Sequence, residues 1–248
     1  MSKILEVKNL YKSFEGSSVL SDVSFQIGQG EFVAIMGQSG CGKSTLLYSI
    51  SGMDKPTKGE VIFCNQRLSD FSAKEMEKLR LNQMGFIFQK GNLLKNLSMK
   101  DNIIFPALQA KKKKRQEIEK EAELLMEQMG ILHVAGHDIR KVSGGQLQRA
   151  AICRAMINHP DILFGDEPTG ALNSSATKEV MDILEEINEK GTTILLVTHD
   201  ARVAARADRV IYLEDGKIKS ELKLDYFSKE GMNSREKWLL QWLAEMGF

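Results

Sequence analysis

The sequence has few cysteines, almost no net charge and no long apolar segment, and each absence argues against a class of protein. Its three cysteines, Cys41, Cys64 and Cys153, lie far apart in the 248 residues, which favours reduced thiols in a cytosolic protein over a disulfide framework or a zinc site. The formal net charge of +1 gives no support to nucleic-acid binding. No apolar run approaches the roughly 18 residues of a membrane span, and residues 1–8 lack the apolar region of a signal peptide. Any action on a membrane is therefore expected to go through a partner.

Strand and helix patterns alternate along most of the chain, which predicts an α/β fold with a largely parallel sheet. The apolar run at residues 31–36 predicts a buried strand, and between residues 92 and 159 the pattern becomes mostly helical. The other predicted elements are strands at residues 4–10, 23–27, 61–64, 84–89, 161–166, 192–198 and 209–213, capped helix starts at Ser72 and Ser98, helices over 43–51, 115–129, 147–157 and 175–189, and an amphipathic tail helix over 234–246.

A glycine-rich loop lies between the predicted strand at 31–36 and the predicted helix at 43–51. Glycines let a loop turn its N–H groups inward toward phosphate oxygens, and the start of the following helix adds its positive dipole end. In this pattern the lysine reaches the β- and γ-phosphates and the next hydroxyl binds Mg²⁺. A tight turn without a ligand is the alternative. We expect the chain to bind ATP with Mg²⁺ through Gly37, Gln38, Ser39, Gly40, Cys41, Gly42, Lys43, Ser44 and Thr45, with Ser44 as a metal ligand.

Two adjacent carboxylates, Asp166 and Glu167, end an apolar strand pattern that begins at Ile162. Such a pair is often only a solvated turn. Beside a phosphate-binding loop, however, the first carboxylate can hold the magnesium shell and the second can orient the attacking water. We therefore predict Asp166 as a metal ligand and Glu167 as the catalytic base.

A second glycine-rich turn, Ser143-Gly144-Gly145-Gln146, leads into the predicted helix over 147–157. Local physics favours a plain helix cap at Ser143. A helix start of this kind is also an anion site, so the chain carries two such sites about 100 positions apart.

Together these motifs resemble the ATP-binding-cassette ATPases, and the resemblance covers roughly residues 3–222. It implies a RecA-like P-loop NTPase core with an N-terminal antiparallel β subdomain and an inserted α-helical subdomain. The implied domains are an ATPase domain at 1–223, with the core at about 1–91 and 160–223 and the helical subdomain at about 92–159, followed by a C-terminal helical extension at 224–248.

The resemblance also implies roles for further residues. ATP would lie between the glycine loop of one copy and Ser143, Gly144, Gly145 and Gln146 of a second copy, in a head-to-tail dimer. Gln89 matches the glutamine that senses magnesium and water, and His199 matches the histidine that contacts the γ-phosphate. The alternative for a lone histidine at a strand end is a side chain that contacts only solvent. Tyr11 matches the aromatic that stacks on adenine, or it packs on the sheet as a strand aromatic.

The chain departs from the family pattern at two positions. Cys41 stands where serine is frequent in the loop, and since backbone N–H groups do the binding, the loop is expected to keep its function. Asn173 stands where aspartate is usual in the segment that couples the two ATP sites. An amide can still form a hydrogen bond across the dimer, but it lacks the negative charge.

The segment Asp166–Asn173 is similar to the branch of macrolide exporters, lipoprotein-release ATPases and bacitracin-type peptide-resistance transporters. It implies a separate membrane permease as partner and a cytoplasmic location on the inner face of the cell membrane. Antimicrobial-peptide resistance or export is the favoured function, and a lipoprotein-release or cell-division ATPase is the alternative. The basic run Lys111–Arg115 is either a solvated face or a contact for anionic lipid, and Leu93, Leu94 and Phe105 either line a permease groove or belong to the core.

Overall fold

The computed structural model describes residues 2–224 and 231–247, which divide into two compact units. The first unit comprises Met1–Met76 and Asn188–Phe248, and the second comprises Glu77–Ile187. The predicted domain boundaries stay predictions. The described strands, numbered β1 to β10 in chain order, are Lys3–Phe14, Ser17–Gly28, Phe32–Met36, Lys58–Phe63, Gln66–Arg67, Met84–Phe88, Ile162–Asp166, Thr193–Val197, Arg209–Glu214 and Lys217–Lys223. The described helices, α1 to α8, are Lys43–Ile50, Ala73–Gln83, Met99–Ala110, Arg115–Gln128, Gly144–Met156, Ser174–Glu189, Ala201–Ala204 and Met232–Glu245.

The first unit contains two strand layers. An antiparallel sheet has the strand order β2-β1-β4-β5 and buries the alternate residues that the N-terminal pattern predicts. In the other layer β3 pairs in parallel with both β8 and β9, and β10 adds antiparallel to β9. All five residues of β3 are buried, as its continuous apolar run predicts. Asp215 and Gly216 join β9 to β10 with φ of 47° and 72°, the left-handed pair that a tight hairpin requires.

The second unit combines a parallel strand pair with helices. Strand β6 pairs with β7 from Met84 opposite Ile162 to Phe88 opposite Asp166. Among the described residues between these strands, the regular elements are α3, α4, α5 and short 3₁₀ turns, so the inserted helical segment is confirmed. Helix α3 begins where predicted, because the Ser98 hydroxyl accepts a hydrogen bond from the Asp101 N–H at 3.1 Å. Helix α6 buries the apolar stripe that its periodicity predicts.

The predicted tail helix is present as α8, and its side chains Leu239 and Leu243 are fully buried. It therefore packs on the core of the first unit, as expected. The start of the predicted extension at residues 225–230 and its last residue lie outside the described residues. None of the described helices combines the length and the apolar character that crossing a bilayer demands.

Candidate functional site: a glycine loop and a carboxylate turn

The glycine loop connects β3 to α1 in the first unit, and two of its glycines have no room for a side chain. A methyl group at Gly37 would overlap the carbonyl oxygen of Leu213 in β9 and would lie 2.7 Å from Cys41 Sγ. Gly42 has φ of 103°, and a methyl group there would lie 2.9 Å from a Leu20 methyl carbon. Both positions therefore require glycine for the close approach of the backbone, which the sequence pattern predicts without showing these neighbours.

The loop lysine, Lys43, is buried, with 9% of its surface exposed. Its Nζ donates to the carbonyl oxygens of Gly37 at 2.9 Å and Gln38 at 2.8 Å, so the ammonium group is held inside the loop. Helix α1 starts at this lysine, and its N-cap, Gly42, provides no side-chain cap for the first-turn N–H groups. A buried cation beside uncapped helix N–H groups suits a phosphate group, so these residues fit ATP.

The rim of the loop is joined to the hairpin turn between β9 and β10. The Gly216 N–H donates to the Cys41 carbonyl at 3.1 Å, and the Gly216 carbonyl accepts from the Ser21 N–H at 2.9 Å. Burial raises the pKa of the Cys41 thiol. The loop motif carries no sign of this support, although the Asp215-Gly216 turn signal marks its position in the sequence.

The carboxylate turn follows β7 in the second unit. Asp166 and Glu167 are both half-buried, and Glu167 has φ of 50°, a left-handed conformation that is uncommon for a residue with a side chain. The Gly170 N–H donates to the Glu167 carbonyl at 3.0 Å, which closes the turn. The strand therefore ends at Asp166, and Glu167 begins a turn.

Gln89 lies against this turn. It follows β6, whose last residue Phe88 is opposite Asp166 in the parallel pair. A methyl group at Gly170 would lie 2.8 Å from Gln89 Nε2, so the amide group covers the turn that follows Glu167. Within the second unit, the structure thus brings together Gln89, Asp166 and Glu167. Carboxylate and amide oxygens are the ligands that Mg²⁺ prefers, so this set fits the metal.

The second glycine turn caps α5. The Ser143 hydroxyl accepts from the Gln146 N–H at 3.2 Å, while the Ser143 N–H donates to Gln146 Oε1 at 2.9 Å. This reciprocal capping box confirms the local interpretation of Ser143. Methyl groups at Gly144 and Gly145 would lie 3.6 Å from a Leu172 methyl carbon and 3.3 Å from Ala176 Cβ, so both glycines face the start of α6 and the turn before it. A hydroxyl that accepts one hydrogen bond still has its proton to donate to an anion.

Helix α5 also holds the backbone around Gln89, a role that the sequence motifs did not predict. The buried Gln148 donates from Nε2 to the Phe88 carbonyl at 3.1 Å. Arg154, two turns further along, donates to the carbonyls of Gly91 and Asn92, each at 2.7 Å. One helix therefore carries Ser143 at its start and fixes the loop that contains Gln89.

Three further predicted residues have simple surroundings. Tyr11 is a half-buried residue of β1 opposite Lys58, and its ring orientation toward a ligand stays a prediction. His199 is exposed two residues after the end of β8, and Asp200 beside it caps the short helix α7. The Asn173 side-chain oxygen accepts from the Ala176 N–H at 2.9 Å, so this residue caps α6.

Comparison with known proteins gives the family. A family model described as ABC transporter matches residues 20–170. The macrolide export ATP-binding/permease protein of Campylobacter jejuni is 43% identical over 217 residues, which are 88% of this chain and 34% of that protein, so this chain spans about a third of that relative. The lipoprotein-releasing system ATP-binding protein of Aquifex aeolicus is 40% identical over 222 residues, which are 90% of this chain and 99% of that protein.

Solved structures agree with these relatives. A dimeric ATP-binding cassette in a post-hydrolysis state with ADP and phosphate has a TM-score of 0.84 and 38% identity. The match covers 90% of this chain and 100% of the cassette's chain. The CbiO1 cassette of Clostridium perfringens has a TM-score of 0.83 and 30% identity, and the match covers 100% of this chain and 98% of the CbiO1 chain. These likenesses confirm the P-loop NTPase fold class that the sequence predicts. The chain belongs to the ABC transporter family, as an ATPase cassette of the branch that includes its macrolide-export and lipoprotein-release relatives.

Proposed function

We propose that this chain binds ATP with Mg²⁺ at the loop Gly37–Thr45 and uses its hydrolysis to drive a membrane transporter. The observation that carries the proposal is the buried Lys43 ammonium group, held in the loop directly before the uncapped start of α1. Lys43 binds the β- and γ-phosphates, and the N–H groups of the loop bind the phosphate oxygens. Tyr11 provides the adenine contact, as in the family pattern.

The carboxylate turn provides the hydrolytic chemistry. Glu167 accepts a proton from the attacking water, whose oxygen forms a bond to the γ-phosphorus as the bond to the β-phosphate oxygen breaks, giving ADP and phosphate. Asp166, Gln89 and Ser44 would hold Mg²⁺, which when bound neutralises charge on the β- and γ-phosphate oxygens. Gln89 orients the water, and His199 contacts the γ-phosphate.

A second copy of the chain completes the site. Ser143 and Gly145, with Gly144 and Gln146, contact the γ-phosphate held by the first copy, so hydrolysis follows closure of the pair. Two observations support this arrangement: the Ser143 hydroxyl keeps its proton for donation, and a solved neighbour with 38% identity is described as dimeric.

The partner that uses the ATP energy is proposed to be a separate membrane permease, with this chain attached to it at the cytoplasmic face of the membrane. The relatives combine ATP-binding cassettes with macrolide export and lipoprotein release. Leu94 and Phe105 are 44% and 43% exposed, which suits a contact with an apolar helix of the permease. Antimicrobial-peptide resistance or export is the favoured transport function, and lipoprotein release or a cell-division role is the alternative.

Replacing Glu167 tests the ATPase assignment. Glu167→Gln should keep ATP binding and accumulate an ATP-bound dimer, while turnover falls by about 100- to 10,000-fold, because a general base contributes that much. Lys43→Ala should instead weaken ATP binding by about 10- to 100-fold, the value of one or two charge-assisted contacts. Glu127→Gln, the same change at an exposed residue of α4, is the matched control. Full turnover by Glu167→Gln would refute the assignment of the base.

Purification of the membrane complex tests the partner. The tagged chain is extracted in mild detergent with ATP and vanadate, and the bound membrane protein is identified by mass spectrometry. A permease with a large extracytoplasmic domain supports resistance or export. A small four-span partner favours the cell-division alternative, and recovery of the chain without any membrane protein contradicts the transporter assignment.

A further inference from the structure

The C-terminal helix α8 is attached to the first unit by a buried arginine. Arg235 is only 7% exposed, and its Nε donates to the Ala205 carbonyl at 2.9 Å while Nη2 donates to the Ala207 carbonyl at 2.6 Å. Ala205 is the C-cap residue of α7, and Ala207 lies two residues further along the chain. Such charged hydrogen bonds orient α8 as well as attaching it.

The apolar face of α8 packs on the strand that supports the glycine loop. Trp242 contacts Tyr212 of β9 edge to face, with ring centroids 6.2 Å apart. Leu239 and Leu243 of the same helix are fully buried. The residue after Tyr212 is Leu213, whose carbonyl oxygen is so close to the Gly37 backbone that a methyl group on Gly37 would overlap it. Helix α8 and the first glycine of the loop thus lie against two adjacent residues of β9.

The end of α8 reaches the loop itself. The helix ends at Glu245 with Met246 as its C-cap, and Gly247 turns the chain with φ of 82° while its N–H donates to the Ala244 carbonyl at 3.1 Å. This turn places the Gly247 carbonyl 3.5 Å from Gln38 Nε2. The Met246 carbonyl lies at the same distance, 3.5 Å, from Lys219 Nζ of β10. Met246 and Gly247 thus lie against β10 and the second residue of the ATP loop, respectively.

We propose that α8 is a positioning element for the ATP loop, with Arg235 fixing the helix and the Gly247 carbonyl holding the side chain of Gln38. The inference rests on the proposed binding of ATP at this loop and adds an element of the chain that no motif includes. A fixed loop loses less conformational freedom when ATP binds, so the contact raises ATP affinity.

The geometry favours support of the loop over obstruction. Within the glycine loop, Gly247 contacts the side chain of Gln38, whereas the groups assigned to phosphate are Lys43 and backbone N–H groups. These donors stay available while the contact is made. Covering apolar surface accounts for the buried side chains of α8 but not for the position of the Gly247 carbonyl beside the loop.

A double-mutant cycle on the full-length chain tests the proposal. The variants are Gln38→Leu, a deletion of residues 246–248, and the two combined, with MgADP as the probe in isothermal titration calorimetry and the melting temperature recorded for each protein. We expect each single change to weaken MgADP binding about 2- to 5-fold, the value of one exposed hydrogen bond. The combined variant should bind no more weakly than either single one, because both remove the same contact.

Two further variants separate positioning from stability. Gln241→Leu makes the same chemical change at an exposed position of α8 and should leave binding unchanged. Arg235→Ala should weaken binding at least as much as the deletion, and Arg235→Lys, which can still donate to one carbonyl, should restore part of the loss. The deletion itself should leave the melting temperature within about 2 °C, since the exposed contacts to Gln38 and Lys219 that it removes are worth little to folding.

Each other outcome overturns the proposal. Unchanged binding in Gln38→Leu and in the deletion variant would make α8 a packing helix only. Tighter MgADP binding in the variants would show that α8 weakens binding. Fully additive losses of affinity in the combined variant would show that residues 246–248 do not act through Gln38. If the unmodified chain binds neither MgADP nor MgATP, the proposed function fails first, so the two failures are distinguishable.

Discussion

Replacement of Arg154 by methionine should loosen the segment that carries Gln89. Arg154 donates to the carbonyls of Gly91 and Asn92 at 2.7 Å each, and both of these residues have left-handed φ values, 66° and 47°. Hydrogen bonds from a charged group are worth about 1.5–3 kcal/mol each, and the freed carbonyls regain water on this half-buried surface. We therefore expect Arg154→Met to cost roughly 2–4 kcal/mol, which lowers the melting temperature by about 4–16 °C in a chain of this size.

The same variant should change catalysis more than ATP binding. Gln89 lies two residues before Gly91, and misplacement of a positioning group by about 1 Å can cost up to about 100-fold in rate. We expect kcat to fall about 10-fold or more while KM for ATP changes less than about 3-fold, since the glycine loop is untouched.

Thermal unfolding and initial ATPase rates, measured well below the lowered melting temperature, check both expectations. Arg140→Met is the matched control, because among the described residues the ion pair of Arg140 is with the nearby Asp138 at the surface, and losing that pair should cost less than about 1 kcal/mol. Arg154→Lys should recover part of the loss. A normal kcat in Arg154→Met despite the lower melting temperature would refute the link to Gln89 and leave Arg154 with a purely structural role.

Three other predictions follow from single contacts. Asn173→Ala removes the cap of α6 and should cost about 1 kcal/mol in chemical denaturation, whereas Asn173→Asp should keep that stability; equal losses would contradict the capping role. Burial raises the pKa of Cys153 to about 12, so mass spectrometry after brief alkylation at pH 8 should find the exposed Cys64 modified and Cys153 intact. Ser143→Asp keeps a good N-cap but presents a negative charge, so it should fold normally and, by light scattering, fail to form the ATP-dependent dimer; a normal dimer would remove Ser143 from the γ-phosphate contact.

Local features of the site could be predicted because their causes are local. The loop at Gly37–Thr45 needs glycine for close approach, a lysine and a following helix, and all three are visible within nine residues of sequence. The caps at Ser98 and Ser143 likewise depend on a residue three positions away, and the structure confirms both.

The contacts that join distant segments could not be predicted. Gln148 and Arg154 lie within an ordinary helical pattern, and their partners are backbone carbonyls about 60 residues earlier, which have no side-chain signature in the sequence. The packing of α8 was expected from its apolar stripe, but the position of its end beside Gln38 depends on β9 and α7 being in place. Periodicity identifies which face of a helix is buried and leaves its partner open.

The two glycine-rich helix starts differ in their caps, and the difference gives an order to the proposed mechanism. The N-cap of α1 is Gly42, which has no side chain to accept from the first turn of that helix, so a bound phosphate can take the place of a side-chain cap. The N-cap of α5 is Ser143, whose hydroxyl already satisfies the Gln146 N–H, so this helix start is stable without a ligand and offers fewer donors to one. The loop is therefore the stronger phosphate site by itself, and the Ser143 turn adds affinity to a phosphate that the loop of another copy already holds. On this argument ATP binds first and closure of the pair follows, because the weaker site meets its phosphate only on a loaded partner.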